Sequence, residues 1–274
     1  MTVVIKELLR SRYLIQELVI KDLKLRYSKP LLGLFWVFLS PFLVVIIFYI
    51  VFSLILKVEI RGVPFIFYLM SAVFPWRFFQ DSLICSVTSL LDNKNLIRES
   101  NFAHYLIPVS IVLVNMINFF PPLLILIIAS LWVSKGLGIS IIFLPVILII
   151  HIVITVASAI ISSILYVKWR DMKYILEILL LLLFYLTPAF YPLSLVRTSF
   201  SPLLFRLYLC NPLVCILNLY RISIFKDFYS IIQQDISDLT FVAILPVIFA
   251  VSLVLLAIYL YRKNKNSIND YLSY

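Results

Sequence analysis

The feature that most constrains this chain is a succession of apolar runs, each close to or beyond the length of a membrane span and nearly free of charge. Residues 31–56, 107–134 and 239–261 contain no Asp, Glu, Lys or Arg. Residues 139–167 contain only His151 besides uncharged side chains, and 175–195 only Glu177 near the start. Residues 63–90 are apolar but interrupted by Arg77, Gln80 and Asp81. About 20 helical residues cross the hydrocarbon of a bilayer. Backbone groups in lipid need internal partners, which a helix supplies within one segment. A barrel strand would alternate in polarity over about ten residues, and these runs are apolar on every side. The expectation is an all-α integral membrane protein with six transmembrane helices.

Composition agrees. The chain is 64% hydrophobic and 13% charged, against about half and about a quarter in soluble domains. Its mean hydropathy is +1.11. The net charge of +10 is carried mainly between apolar runs and at the ends, not on a polar stripe interleaved with aromatics, so nucleic acid is not an expected partner.

Lys and Arg set the orientation. With the N-terminus inside, the inner segments hold fifteen of them and the outer segments, including Arg197, Arg206, Arg221 and Lys226, hold seven. That bias places both termini in the cytoplasm. The chain then divides into residues 1–30, an amphipathic cytoplasmic interface segment; 31–263, the transmembrane domain; and 264–274, a cytoplasmic tail. A charged segment precedes the first apolar run, which is too long for a signal-peptide core and reads as a retained anchor.

Residues 3–27 show helical spacing of apolar positions, with Glu17/Lys21 and Asp22/Arg26 as favourable i,i+4 pairs. A basic amphipathic helix of this kind lies on the membrane surface. Between the second and third spans, residues 91–100 are short and polar, and Asp92 is placed to cap a helix running through Arg98 and Glu99. Between the fifth and sixth spans, residues 191–238 carry Pro192, Pro202 and Pro212. Residues 203–220 are too polar for a clean span, and either two half-helices dipping back into the membrane or a globular outer loop fits them.

No catalytic constellation is visible. The only histidines are His104 and His151; there is no Walker A, HExxH or G-x-S-x-G pattern, and four glycines leave little for a phosphate-cradling loop. Cys85, Cys210 and Cys215 form no metal-ligand spacing, so no metal or cofactor is expected on this chain. Any uphill work then draws its energy from another subunit. Arg77 and Asp81 share a helix face and can pair, and His151 reads as a hydrogen-bonded structural residue. Aromatics in the first span (Phe35, Trp36, Phe42, Tyr49) and near the end of the fifth (Tyr185, Phe190, Tyr191) suit core packing or the wall of a conduit.

The segments Lys21-Asp-Leu-Lys-Leu-Arg-Tyr27, Leu32-Gly-Leu-Phe-Trp36 and Pro41 resemble the N-terminal signature of ABC-2 type permeases that export polysaccharides. Phe74-Pro-Trp-Arg-Phe-Phe79, Asn95-Leu-Ile-Arg98, Lys168-Trp-Arg-Asp171, Leu186-Thr-Pro-Ala-Phe-Tyr-Pro192 and Asn211-Pro212 come next in that family's order, so the resemblance runs from about residue 13 to 263. Where the family often shows Phe-Pro, this chain has Phe102-Ala103. The resemblance implies export of a lipid-linked polysaccharide such as O-antigen across the bacterial cytoplasmic membrane. It implies a homodimer with two copies of an ATP-binding subunit that carries ATP and Mg. Asp92, Asn95, Arg98 and Glu99 would belong to the helix coupled to that ATPase. Phe35, Trp36, Phe42, Tyr49, Tyr185, Phe190 and Tyr191 would line the channel, residues 191–238 would hold re-entrant gate helices, and Lys21, Lys24 and Arg26 would meet the lipid pyrophosphate. A teichoic-acid or small-molecule efflux permease, or a multi-span acyl- or glycosyl-transferase, remains open at this point.

Overall fold

The computed structural model describes residues 11–27, 35–58, 60, 62–99, 102–133, 138–226, 228–235 and 239–273. Its elements are helical throughout. In chain order they are α1 (Arg12–Tyr27), α2 (Phe35–Phe48, continued by a π-helical stretch Tyr49–Ile55), α3 (Phe65–Val87), α4 (Ser89–Asp92) and α5 (Lys94–Glu99). Then come α6 (Leu106–Val133), α7 (Leu144–Lys168, entered through the 3₁₀ turn Ile139–Phe143), α8 (Met172–Tyr185), α9 (Leu193–Ser199), α10 (Pro202–Leu209), α11 (Pro212–Ile224), α12 (Phe228–Asp235) and α13 (Leu239–Ser273).

Three stretches among the described residues are long and apolar enough to cross a membrane: Leu106–Leu131, Ile139–Lys168 and Thr240–Asn264. These match the third, fourth and sixth expected spans. The other three fall short for separate reasons. In α2 the apolar helical stretch Leu39–Ile55 is shorter, and residues 31–34 lie outside the described residues. In α3 there are 23 residues, but Arg77, Gln80 and Asp81 dilute its hydropathy. In α8 the helix has 14 residues, about 21 Å, and stops at Tyr185 because the Leu186–Pro192 stretch turns out of the helix.

The bundle packs α3 against α6 and α7, and α13 along α7. Helix α3 is largely enclosed, with Tyr68, Leu69, Val73 and Phe74 at most 1% exposed. By contrast Ile178, Leu182, Val251 and Leu255 on α8 and α13 are exposed, as suits side chains whose solvent is lipid. Helices α9 to α12 form a second group, in contact with one another. Helices α10 and α11 are bent by 79° at Cys210–Asn211, and α11 packs on α3, α7 and α13. Asn211 caps α11, its Oδ1 accepting from the Leu213 N–H at 3.0 Å. Gly62 has φ of +77°, and a Cβ there would meet Ile231 of α12 at 2.5 Å. That contact is with the end of the Ile231 side chain, which can shift, so it is the positive φ that favours glycine. Helix α13 continues without a break from its apolar part through Arg262 and Lys263 to Ser273.

Helix α1 lies on α6. Its buried residue is Leu18, which joins Leu90, Ile97, Ile107, Ile111, Ile164 and Val167 in one cluster. Tyr13, Ile20 and Leu25 are exposed. Residues 1–10 of the expected amphipathic helix are outside the described residues. The anticipated i,i+4 pairs give way to tertiary partners: Lys21 Nζ donates to Asn93 Oδ1 at 3.1 Å and Arg26 Nη1 donates to Asn115 Oδ1 at 2.9 Å. Exposed helix-surface pairs contribute only about 0.2–0.5 kcal/mol, so a partner on another element readily displaces them.

Candidate functional site

Three places collect the residues singled out by sequence. The first is the end of the bundle where α1, α4 and α5 meet. The expected single helix from Asp92 to Glu99 is instead two short helices, α4 and α5, joined at Asn93. Asp92 does not cap; its carboxylate accepts from Thr88 Oγ1 at 2.6 Å. Asn93 makes the junction, donating from Nδ2 to the Ser89 carbonyl at 2.9 Å. Ile97 anchors α5 inward, while Asp92, Asn95, Arg98 and Glu99 are all exposed. Four polar side chains thus share a surface that Lys21 ties to α1. Asp22 on α1 is half-buried, and burial raises its carboxyl pKa, with Arg26 and Lys21 pulling the other way. Lys24 is exposed and Arg26 is not, so the structure separates two of the three cations expected to act together.

The second place is a cavity of about 310 Å³ between α1, α2, α3 and α6. Its polar lining is Arg26, Tyr27, Ser40, Arg77, Asp81, Asn115 and Asn118. Arg77 Nη2 donates to Ser40 Oγ at 2.9 Å, and its Nε lies 3.6 Å from Asp81 Oδ2. The expected Arg77–Asp81 pair therefore forms, and it faces a cavity. Sequence reasoning paired Arg77 with Asp81 without a functional role, named Tyr27 only within the N-terminal signature, and did not single out Ser40, Asn115 or Asn118. The i,i+3 spacing of Asn115 and Asn118 in an otherwise apolar span was the available signal.

The third is an aromatic cluster where α2 meets the turn after α8. Phe190 stacks on Phe48 with ring centroids 5.5 Å apart and planes 1° from parallel, and lies 4.6 Å from Phe52. Phe184 and Tyr185 approach the same ring at 5.8 and 5.7 Å. The Tyr191 hydroxyl donates to the Tyr185 carbonyl at 3.0 Å and meets the Tyr208 hydroxyl at 3.2 Å. Tyr49 packs on the core. Phe42 sits apart, edge-on to Phe74 at 5.1 Å, and Phe35 is exposed near the start of α2. The Trp36 side chain lies outside the described residues. Of the seven aromatics expected on a conduit wall, Tyr185, Phe190 and Tyr191 are brought together; Phe190 is buried in packing while Tyr185 offers an exposed face.

Arg221, counted by sequence among the outer Lys and Arg residues, is buried in the structure, 0% exposed. Its guanidinium carbon stands 3.6 Å from the centre of the Tyr68 ring. Its Nη2 donates to the carbonyls of Pro188 at 2.6 Å and Ala189 at 3.4 Å, and its Nη1 to Asn218 Oδ1 at 3.4 Å. No carboxylate pairs with it among the described residues. It thereby ties α11 to the turn that ends α8. His151 is buried as expected, 3.2 Å from the Tyr220 hydroxyl. Cys210 and Cys215 are free thiols.

No family model matches the chain. Among curated proteins, the O-antigen export system permease protein RfbA of Myxococcus xanthus is 28% identical over 217 residues, covering 79% of this chain and 82% of that protein. Two Klebsiella pneumoniae proteins of the same name are 29% identical over 193 residues and 32% identical over 195, each match covering 69% of this chain and 74% of the relative.

Proposed function

This chain belongs to the family of O-antigen export permeases, and from that premise we propose that it is the membrane-spanning subunit of an ATP-binding-cassette exporter of O-antigen-like, lipid-linked polysaccharide. It is a transport subunit, and ATP and Mg belong to a separate ATP-binding partner. The observation that carries this reading is the similarity to three export permeases over most of their length, joined to a helical bundle with exposed apolar faces.

In this reading two copies of the chain and two ATP-binding subunits assemble in the bacterial cytoplasmic membrane, with both termini inside. Helices α2, α3 and α8 complete six spans with the three longer ones. Asp92, Asn95, Arg98 and Glu99 form the surface seated on the ATPase. The Lys21–Asn93 bond supports this, since it lets a push on α4 and α5 reach α1 directly. Lys21, Lys24 and Arg26 draw anionic lipid heads to the inner face. The bent pair α10–α11 acts as a re-entrant outer gate, and aromatic faces such as Phe35 and Tyr185 give the polymer apolar surfaces without fixed hydrogen bonds that would trap it.

The test is purification of the tagged chain in mild detergent from its native membrane, with mass spectrometry and an ATPase assay. A stoichiometric ATP-binding subunit with vanadate-sensitive hydrolysis, together with loss of surface glycan on deletion of this chain, is the expected result. A chain that purifies alone without ATPase, with surface glycan unchanged on deletion, would refute the reading.

A further inference from the structure

The cavity between α1, α2, α3 and α6 has a chemistry more specific than a general basic face. Two guanidiniums, Arg26 from α1 and Arg77 from α3, line it from different elements. One carboxylate, Asp81, opposes them, 3.6 Å from Arg77 Nε, and two cations against one anion leave the lining with an excess positive charge. Asn115 is 5% exposed. Its Oδ1 is occupied by Arg26, yet its Nδ2 has no hydrogen-bond partner among the described residues. A buried amide donor is rarely left unmatched unless something else fills the position. Tyr27, Ser40 and Asn118 add further polar groups. The rest of the wall is apolar, with Phe74, Phe78, Ile84, Phe119 and Pro122.

Planar guanidiniums and amide N–H groups converging on one small volume are the donor set that phosphate oxygens require. At about 310 Å³ the volume is at the small end of ligand pockets, which suits a phosphate or diphosphate rather than a glycan chain. The apolar wall suits a hydrocarbon attached to it. We propose that this cavity binds the phosphate or diphosphate group of an anionic lipid, with Arg26 and Arg77 taking its oxygens and Asn115 Nδ2 donating to it. The assignment of the lipid rests on the export reading; the phosphate chemistry rests on the cavity. Asp81 competes with the ligand for Arg77. Because Arg26 rides on α1, and α1 is bonded through Lys21 to Asn93, occupancy of the cavity bears on the same helix as the expected ATPase surface.

The experiment uses the full chain with its co-purified partner in phosphatidylcholine nanodiscs. Labelled farnesyl pyrophosphate is the probe, unlabelled inorganic pyrophosphate the competitor and farnesol the neutral control. Saturable binding that farnesol does not match is expected. Arg26→Met and Arg77→Met should each weaken it about tenfold, the scale of one charge-assisted contact, while Asp81→Asn should tighten it. Arg206→Met, at an exposed position on α10, should leave it unchanged. Competition by inorganic pyrophosphate at the affinity of the farnesyl probe would identify a free anion as the ligand; much weaker competition would identify a lipid head. The proposal is overturned if farnesol binds as well as the probe, or if binding is the same in Arg26→Met, Arg77→Met and Asp81→Asn. The gain expected for Asp81→Asn cannot come from a misfolded protein. A particle that lacks the ATP-binding partner speaks against the export reading, whereas a complete particle without charge-dependent binding speaks against this cavity alone.

Discussion

A guanidinium buried without a carboxylate is costly, and Arg221 is kept by carbonyls, an amide and an aromatic face. Those partners fit a flat fork and not a point charge. Arg221→Lys is therefore expected to destabilise the chain nearly as much as Arg221→Leu, by about 2–3 kcal/mol, the usual cost of buried polar groups left unmatched. Thermal unfolding in detergent, followed by tryptophan fluorescence, would show it; a lysine variant that melts like the parent would contradict the fork geometry. The same scale separates the basic residues near α1. Lys24 is exposed, while Arg26 lies against Asn115. Arg26→Met should lower export far more than Lys24→Met at equal protein level, measured as surface glycan per permease. Arg77 and Asp81 were readable as a pair from their spacing. Arg221 was not, because its helix is short and its partners Pro188 and Ala189 lie 33 and 32 residues away. Its i,i+3 relation to Asn218 in a mostly apolar stretch was the one local hint.

At the scale of elements, α1 and the α4–α5 corner behave as one unit, joined by the Leu18 cluster and the Lys21–Asn93 bond. Leu18→Asp puts a charge into that cluster and should part them, because an unpaired charge in a core site displaces the element that bears it. In the assembled complex the expected outcome is ATP hydrolysis that persists while export falls by about tenfold or more, the equilibrium cost of losing roughly 1.4 kcal/mol of coupling. Hydrolysis and export falling in equal proportion would argue against a coupling role. At the α10–α11 bend, Asn211→Ala removes the cap at the 79° angle and should cost about 1 kcal/mol, read from the same melting assay. Helix type and the long apolar runs were legible in the sequence because lipid leaves a spanning backbone few alternatives. Where helices stop was less so. The break at Asn93 and the exit of α8 at Leu186 depend on side-chain and tertiary contacts that periodicity does not encode. The ring cluster around Phe190 likewise joins residues more than a hundred positions apart, so composition announced the aromatics without saying which would touch.

For the molecule as a whole, the exposed apolar side chains of α8 and α13 leave the protomer in need of lipid or of another copy. Multi-angle light scattering of the purified complex, corrected for detergent, should give two permease chains per particle. One chain per particle would rule out the homodimer. Helix α13 belongs to this scale because it is longer than any bilayer requires. Its apolar part ends near Tyr261, which packs edge-on against Tyr105 and borders the Leu18 cluster, and the helix then runs on to Ser273. Those last twelve residues extend about 18 Å past that fulcrum as a rigid pointer. A tilt of about 10° at the tyrosine pair swings the tip by roughly 3 Å, so a rearrangement too slight to resolve at the bundle is magnified at its far end.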